Sequence, residues 1–345
     1  MRSTSTRRYY QRAALWVIIL TTGVSLAGCG ASTAQPTASV AVADPVSIQL
    51  SWTHTIEWAG FYIAEADGHY RQQRLAVTLK AGGTDAQGAY IDPITSVVSG
   101  TADFGITSGS NILQSRAAGQ PVVAVASIYQ RHPLALTSLA EKKIVRPQDL
   151  YGKIIHVSPV SRYLIEALIV AQGLDQSRIT IRDRADYTVQ PLLTGEAEVI
   201  DGWVTNEVAT LTREGHTVNL ILPSDYGIEE YPNVLFTTER MISERPDLIE
   251  RLLRATFAGW AEAIAHPERA APLALAHDAT LNQEEQRQGM LQSLPLISLP
   301  GSPPGTMTPA VWESTARILW EQDLLPKTEK PDSAYTLTFM TRIAP

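Results

Sequence analysis

From Val46 onward the chain alternates between two rhythms of apolar and polar residues. VSIQLSW repeats every second residue, the period of a half-buried strand, whereas EWAGFYIAEADGHY spaces its apolar residues as a helix does, ending near Gly68. The two rhythms keep taking turns. LAVTLKAG reads as a strand, DPITSVVSG as a helix closed by Gly100, and ADFGIT as a strand. SNILQSRAAG then reads as a helix capped by Ser110 and closed by Gly119, and PVVAVASIY as a strand. Strands alternating with helices build parallel βαβ units, so the predicted class is α/β, with mainly parallel sheets flanked by helices.

A second passage repeats this pattern. Gly100-Thr-Ala102-Asp103 is answered by Gly195-Glu-Ala197-Glu198, and each is followed by a short strand, a polar loop, a helix and a glycine stop. The glycine-to-glycine spacing is 19 in the first copy and 20 in the second, and an apolar strand follows each stop, PVVAV and TVNLI. Two copies of one unit predict two lobes. Arg131-His-Pro133 and Glu229-Glu-Tyr-Pro232 are the expected crossings, which makes residues 46–131 and 232–345 one lobe and 132–231 the other. Two crossings form a hinge, and two α/β lobes on a hinge form a cleft at the carboxyl ends of their strands.

The ends of the chain add an address. Arg2, Arg7, Arg8 and Arg12 precede the apolar run AALWVIILTTGVSLAG, the layout of a signal peptide over residues 1–28. Leu26-Ala27-Gly28-Cys29 resembles a bacterial lipobox, and Cys29 is the one cysteine in the chain, so it is expected to carry lipid. Residues 29–45 are small, polar and proline-punctuated, as a tether would be. The expected location is the outer side of a cell membrane, held by acyl chains. Losing residues 1–28 removes four arginines and no acid, which moves the net charge from −7 to −11. An acidic surface argues against nucleic acid as a partner.

Candidate ligand residues follow from position. Trp52 closes the first strand, Trp58 opens the next helix, Tyr90 lies near the same edge, and Trp203 stands in the second copy before Asn206 and Glu207. Flat faces with a few polar groups suit an organic ring. Tyr62 and Trp260 are expected in the core. Ser108 and Ser158 sit where their hydroxyls would reach a ligand, and Ser110 where it would cap its helix. Glu207 is either a ligand acceptor or a solvated glutamate in a helix's first turn. Seven histidines are scattered with no metal-binding spacing, and the sequence has no G-x-S-x-G and no P-loop, so neither an enzyme nor a bound cofactor or metal is expected.

Several stretches together carry a family resemblance: WTHTIEWAGFYIAEADGHY (52–70), SGTADFGI (99–106), GEAEVIDGWVTNE (195–207) and LPSDYGIEEYPNVLFTTERMI (222–242). The chain resembles the type II periplasmic solute-binding proteins of ABC importers, in the branch that binds the thiamine pyrimidine precursor formylaminopyrimidine or riboflavin. That resemblance implies a monomeric capture protein that hands one small molecule to a membrane permease. It also implies that a carboxylate at the Glu207 position accepts from ring N–H and amino groups. One departure bears on the ligand. The pyrimidine binders carry W-x-P-N-x-x-H after the first strand, and here the stretch runs Trp52-Thr-His54-Thr-Ile-Glu-Trp58. The wider aromatic surface points to riboflavin ahead of the pyrimidine. Sulfonates come third, because no basic residue stands evident at a strand end.

Overall fold

The computed structural model describes residues 42–184 and 187–343. The expected signal peptide and Cys29 lie outside them. Ten strands follow in chain order: β1 Asp44–Gln49, β2 Leu75–Lys80, β3 Phe104–Thr107, β4 Val122–Ser127 and β5 Leu134–Leu139, then β6 Ile154–Val157, β7 Thr180–Asp183, β8 Val199–Trp203, β9 Val218–Ile221 and β10 Val234–Thr238. They form two five-stranded sheets, ordered β2-β1-β3-β10-β4 and β7-β6-β8-β5-β9.

These two orders are one topology drawn twice. Placing β6, β7, β8 and β9 on β1, β2, β3 and β4 puts β5 on β10. The repeated passages therefore occupy equivalent places, the first in β3 and β4, the second in β8 and β9. Four strands of each sheet run together. The fifth, β10 or β5, runs antiparallel to both of its neighbours, so the sheets are mixed. Each of these reversed strands enters straight from the other sheet, β5 after β4 and β10 after β9.

After β10 the chain turns helical. The helix Pro246–Ala265 starts on a proline at its first position, where no amide partner is lost, with Asp247 favoured by the helix dipole. Leu248, Ile249, Leu252, Leu253, Thr256, Gly259, Trp260 and Ala263 recur three and four apart and are buried. They pack on the helix Ala59–Ala66, whose Gly60 faces Gly259. A Cβ at Gly259 would lie 2.1 Å from the carbonyl oxygen of Gly60, so the backbones touch only because residue 259 is glycine, while a Cβ on Gly60 would meet the Trp260 ring at 2.2 Å. Tyr62 and Trp260 are buried here, as the spacing predicts.

The helix Gln283–Ile297 touches both halves. Gln286 Oε1 accepts from the backbone N–H of Ile56, in the 3-10 turn Ile56–Trp58 after β1, at 2.6 Å. Gly289 lies against the carbonyl oxygen of Thr205, in the π-helical turn Val204–Val208 after β8, so closely that a Cβ would come within 2.7 Å. Arg213 Nε pairs with Glu285 Oε2 at 3.2 Å on the same side. No helix among the described residues is long and apolar enough to cross a membrane.

Candidate ligand-binding cleft

The carboxyl ends of β1, β3, β6, β7 and β8 converge on one cavity of about 1460 Å³, the place where open α/β sheets hold ligands. The first sheet contributes Trp52, Glu57, Tyr90, Ser108 and, from the return crossing, Asn233; the second contributes His132, Ser158, Arg184, Trp203, Asn206 and Glu207. Seven of the eight residues picked from the sequence thus line it.

Trp58 does not. Its side chain is wholly buried in the core and its indole N–H donates to the carbonyl oxygen of Thr53 at 3.0 Å. The tight turn swings the preceding residue, Glu57, to the cavity instead. His54 also faces away, stacked against His277 at 4.9 Å between ring centres, with Nδ1 3.0 Å from the hydroxyl of Tyr62.

The rim is aromatic. Trp52 is 37 % exposed and meets Tyr187, 58 % exposed, edge-on with ring centres 6.0 Å apart. Trp52 follows β1 and Tyr187 follows β7, so this contact joins the two halves across the mouth. The Tyr90 hydroxyl donates to the carbonyl oxygen of Ser51 at 3.2 Å, which ties its loop to the same rim. Deeper in, Trp203 closes β8 with its ring edge-on to His132, centres 5.6 Å apart. His132 Nδ1 accepts from the Leu134 N–H at 3.0 Å, which leaves the hydrogen on Nε2. Burial pushes the pKa of His132 down to about 3, so the ring stays neutral.

The second half carries a buried charge cluster. Arg184 Nη2 lies 3.0 Å from Glu207 Oε1 and Nη1 lies 3.4 Å from Asp201 Oδ1, with all three side chains almost fully enclosed. Nη2 also donates to the carbonyl oxygen of Thr188 at 2.9 Å. Glu207 Oε2 accepts from the Trp203 N–H at 2.8 Å. The carboxylate folds back this way because residue 202 is glycine; a Cβ there would sit 2.7 Å from the Glu207 carboxyl carbon. Burial raises the Glu207 pKa, and the charge of Arg184 opposes the rise. Glu207 is therefore not a solvated glutamate. Ser158 joins the cluster through Ser161, 3.0 Å away, whose hydroxyl donates to Asp201.

The first half answers with a hydrogen-bonded chain at the start of the helix Gly109–Ala117. Ser108, not Ser110, is the cap, accepting from the Asn111 N–H at 3.2 Å. Ser110 donates its N–H to Glu230 Oε1 at 2.9 Å, and the Tyr163 hydroxyl donates to Glu230 Oε2. Helix N-termini attract anions, and here the protein's own Glu230 occupies that position.

The sequence reading missed Glu57, His132, Arg184, Glu230 and Asn233. Arg184 corrects one expectation outright, for a basic residue does stand at a strand end, just after β7. In IRDRADY it is one charge among four in five residues, and no periodicity sets it apart from Arg182 or Asp183. The four carboxylates lining the cavity, Glu57, Asp92, Asp201 and Glu207, outnumber the single guanidinium. The walls suit a neutral or donor-rich guest with flat faces.

Residues 55–270 match the family model described as NMT1/THI5 like. The riboflavin-binding protein RibY of Chloroflexus aurantiacus is 28% identical over 292 residues, 81% of this chain and 82% of that one. The formylaminopyrimidine-binding protein of Halalkalibacterium halodurans is 24% identical over 319 residues, 90% of this chain and 94% of that one. A 4-amino-5-hydroxymethyl-2-methylpyrimidine phosphate synthase of Legionella pneumophila is 24% identical over 264 residues, 73% of this chain and 80% of that one. Among solved structures, the periplasmic aliphatic sulphonate binding protein SsuA of Escherichia coli superposes with a TM-score of 0.65 at 15% identity, covering 84% of this chain and 91% of that one.

Proposed function

Because the chain belongs to the NMT1/THI5-like family, we propose that it is the substrate-binding component of an ABC importer and that its ligand is riboflavin. The lobes are residues 46–131 with 232–345 and residues 132–231, the anchor is a lipidated Cys29 on the extracytoplasmic side, and the working partner is a membrane permease. The ligand is captured and released unchanged by a monomer without a cofactor.

One observation carries the choice of ligand: a large cavity, rimmed by Trp52, Tyr90 and Tyr187 and floored by Trp203, with more carboxylates than cations. At about 1460 Å³ it exceeds the roughly 300–1,000 Å³ of common small-molecule sites. A lone pyrimidine ring would leave most of it to water, whereas a fused ring system with a hydroxylated chain would meet both aromatic faces and polar walls. A sulfonate is disfavoured on three counts. The walls are acidic, Arg184 is already paired, and Glu230 holds the helix end where an anion would dock.

Quenching of flavin fluorescence on adding micromolar protein tests this directly. Saturable quenching with a matching rise in melting temperature is expected. Unquenched riboflavin together with a stabilising effect of formylaminopyrimidine would transfer the assignment to the pyrimidine.

A further inference from the structure

The four carboxylates on the cavity wall are not equivalent. Asp201 and Glu207 share the guanidinium of Arg184. Asp92 caps its helix, accepting from the N–H groups of Ile94 and Thr95 and from the Thr95 hydroxyl. Glu57 has neither kind of support. Among the described residues its carboxyl receives one hydrogen bond, from Asn233 Nδ2 to Oε1 at 2.7 Å, and no cation pairs with it. The group is 4 % exposed and held firmly, since the flanking backbone is tied to Gln286 and to the Thr55 hydroxyl.

A buried carboxyl with one donor and no counter-charge is most stable as the acid. The acid offers an O–H donor beside a C=O acceptor. That is the complement of a ring edge carrying N–H beside C=O, or an amino group beside a ring nitrogen. A carboxylate would satisfy only one atom of such an edge and would repel the other.

We infer that Glu57 is a specificity-determining residue that binds the ligand as a neutral acid, through a paired hydrogen bond to a lactam- or amidine-type edge of the ring, while Asn233 fixes its orientation. The inference rests on reading the cleft as a heterocycle site. Burial raises the Glu57 pKa to about 7, so the acid form is present at neutral pH. The titratable groups whose charge acts on or is felt from Glu57 are the phenols of Tyr62, Tyr90 and Tyr129, all pushed upward and un-ionised in this range. The other charged or titratable residues on the cavity wall are Asp92, neutral His132, Arg184 with its two carboxylates, and the phenols of Tyr163 and Tyr187.

The test measures riboflavin affinity of the full chain from pH 6 to pH 8, for the parent, Glu57→Gln and Glu57→Leu. Parent affinity should fall about tenfold over that range as the acid is lost, with proton uptake on binding at pH 8 in calorimetry. Glu57→Gln presents the same donor beside an acceptor. It should keep the pH 6 affinity within about threefold and lose the pH dependence, while Glu57→Leu should weaken binding by at least about tenfold. Parent affinity that is flat or rising toward pH 8, or a Gln variant as weak as the Leu variant, overturns the inference and leaves the heterocycle site standing. A parent that binds neither riboflavin nor formylaminopyrimidine at pH 6 removes both.

Discussion

Replacing Arg184 with methionine is the most severe single change the cleft geometry offers. The guanidinium is 1 % exposed and serves two carboxylates and the carbonyl oxygens of Asp201 and Thr188. Methionine fills much of the space and carries no charge, so Asp201 and Glu207 are left buried, close together and uncompensated. Breaking a buried ion pair from one side costs about 3–5 kcal/mol. At roughly 2–4 °C per kcal/mol for a domain of this order, the melting temperature should drop by about 6–20 °C at pH 7. The deficit has a definite sign with pH. Without Arg184 the folded-state pKa of Glu207 rises further above its unfolded value, so the folded variant binds more protons and its deficit narrows as pH falls toward 5. Arg184→Met combined with Glu207→Gln removes one stranded charge and should recover at least about 1 kcal/mol. Thermal melts followed by circular dichroism at pH 7 and pH 5 would measure all three proteins. A single variant melting within about 2 °C of the parent, or a double variant no better than the single, would refute the reasoning.

Two further changes probe the same walls. Trp203→Ala should weaken ring binding by about 1–3 kcal/mol if the indole stacks on the ligand, and calorimetry showing unchanged affinity would return Trp203 to a packing role. His132 has a folded-state pKa of about 3, below its ordinary value, so the unfolded chain takes the proton first and this contribution to stability is lost as pH falls from 6.5 toward 3. Glu57 acts oppositely, losing stability as pH rises from 4.5 through about 7. His132→Phe should therefore gain stability relative to the parent by up to about 1.4 kcal/mol per pH unit below 6.5, and urea titrations at pH 7 and 5 giving equal differences would contradict it.

The fold was legible because its signals are periodic. The G-x-A-acid repeats mark β3 and β8, and the glycine stops after them fall where the helices end. The aromatic candidates at strand ends were legible too, since a residue just beyond a parallel strand faces the cleft whatever its neighbours do. Trp58 failed because the tight turn after Thr55 rotates the chain so that residue 57 faces inward and residue 58 the core. Arg184 and Asp201, and the pairing that buries Glu207, escaped the sequence for a different reason. Their burial is a product of pairing between β7, β8 and the π-helical turn, and a charged side chain looks the same in sequence whether solvent or a partner neutralises it.

The helix Gln283–Ile297 has a consequence for how cargo leaves. It is bonded to the turn that carries Glu57 and wedged against the turn that carries Glu207, so the walls are stitched together along that seam. Away from that seam the described halves meet at the edge contact of Trp52 with Tyr187 and through Ser110 and Tyr163, which share Glu230. On the proposed importer reading, parting the walls would break that ring contact and the hydrogen bonds to Glu230 while the seam along the helix holds, like a book opened from its spine.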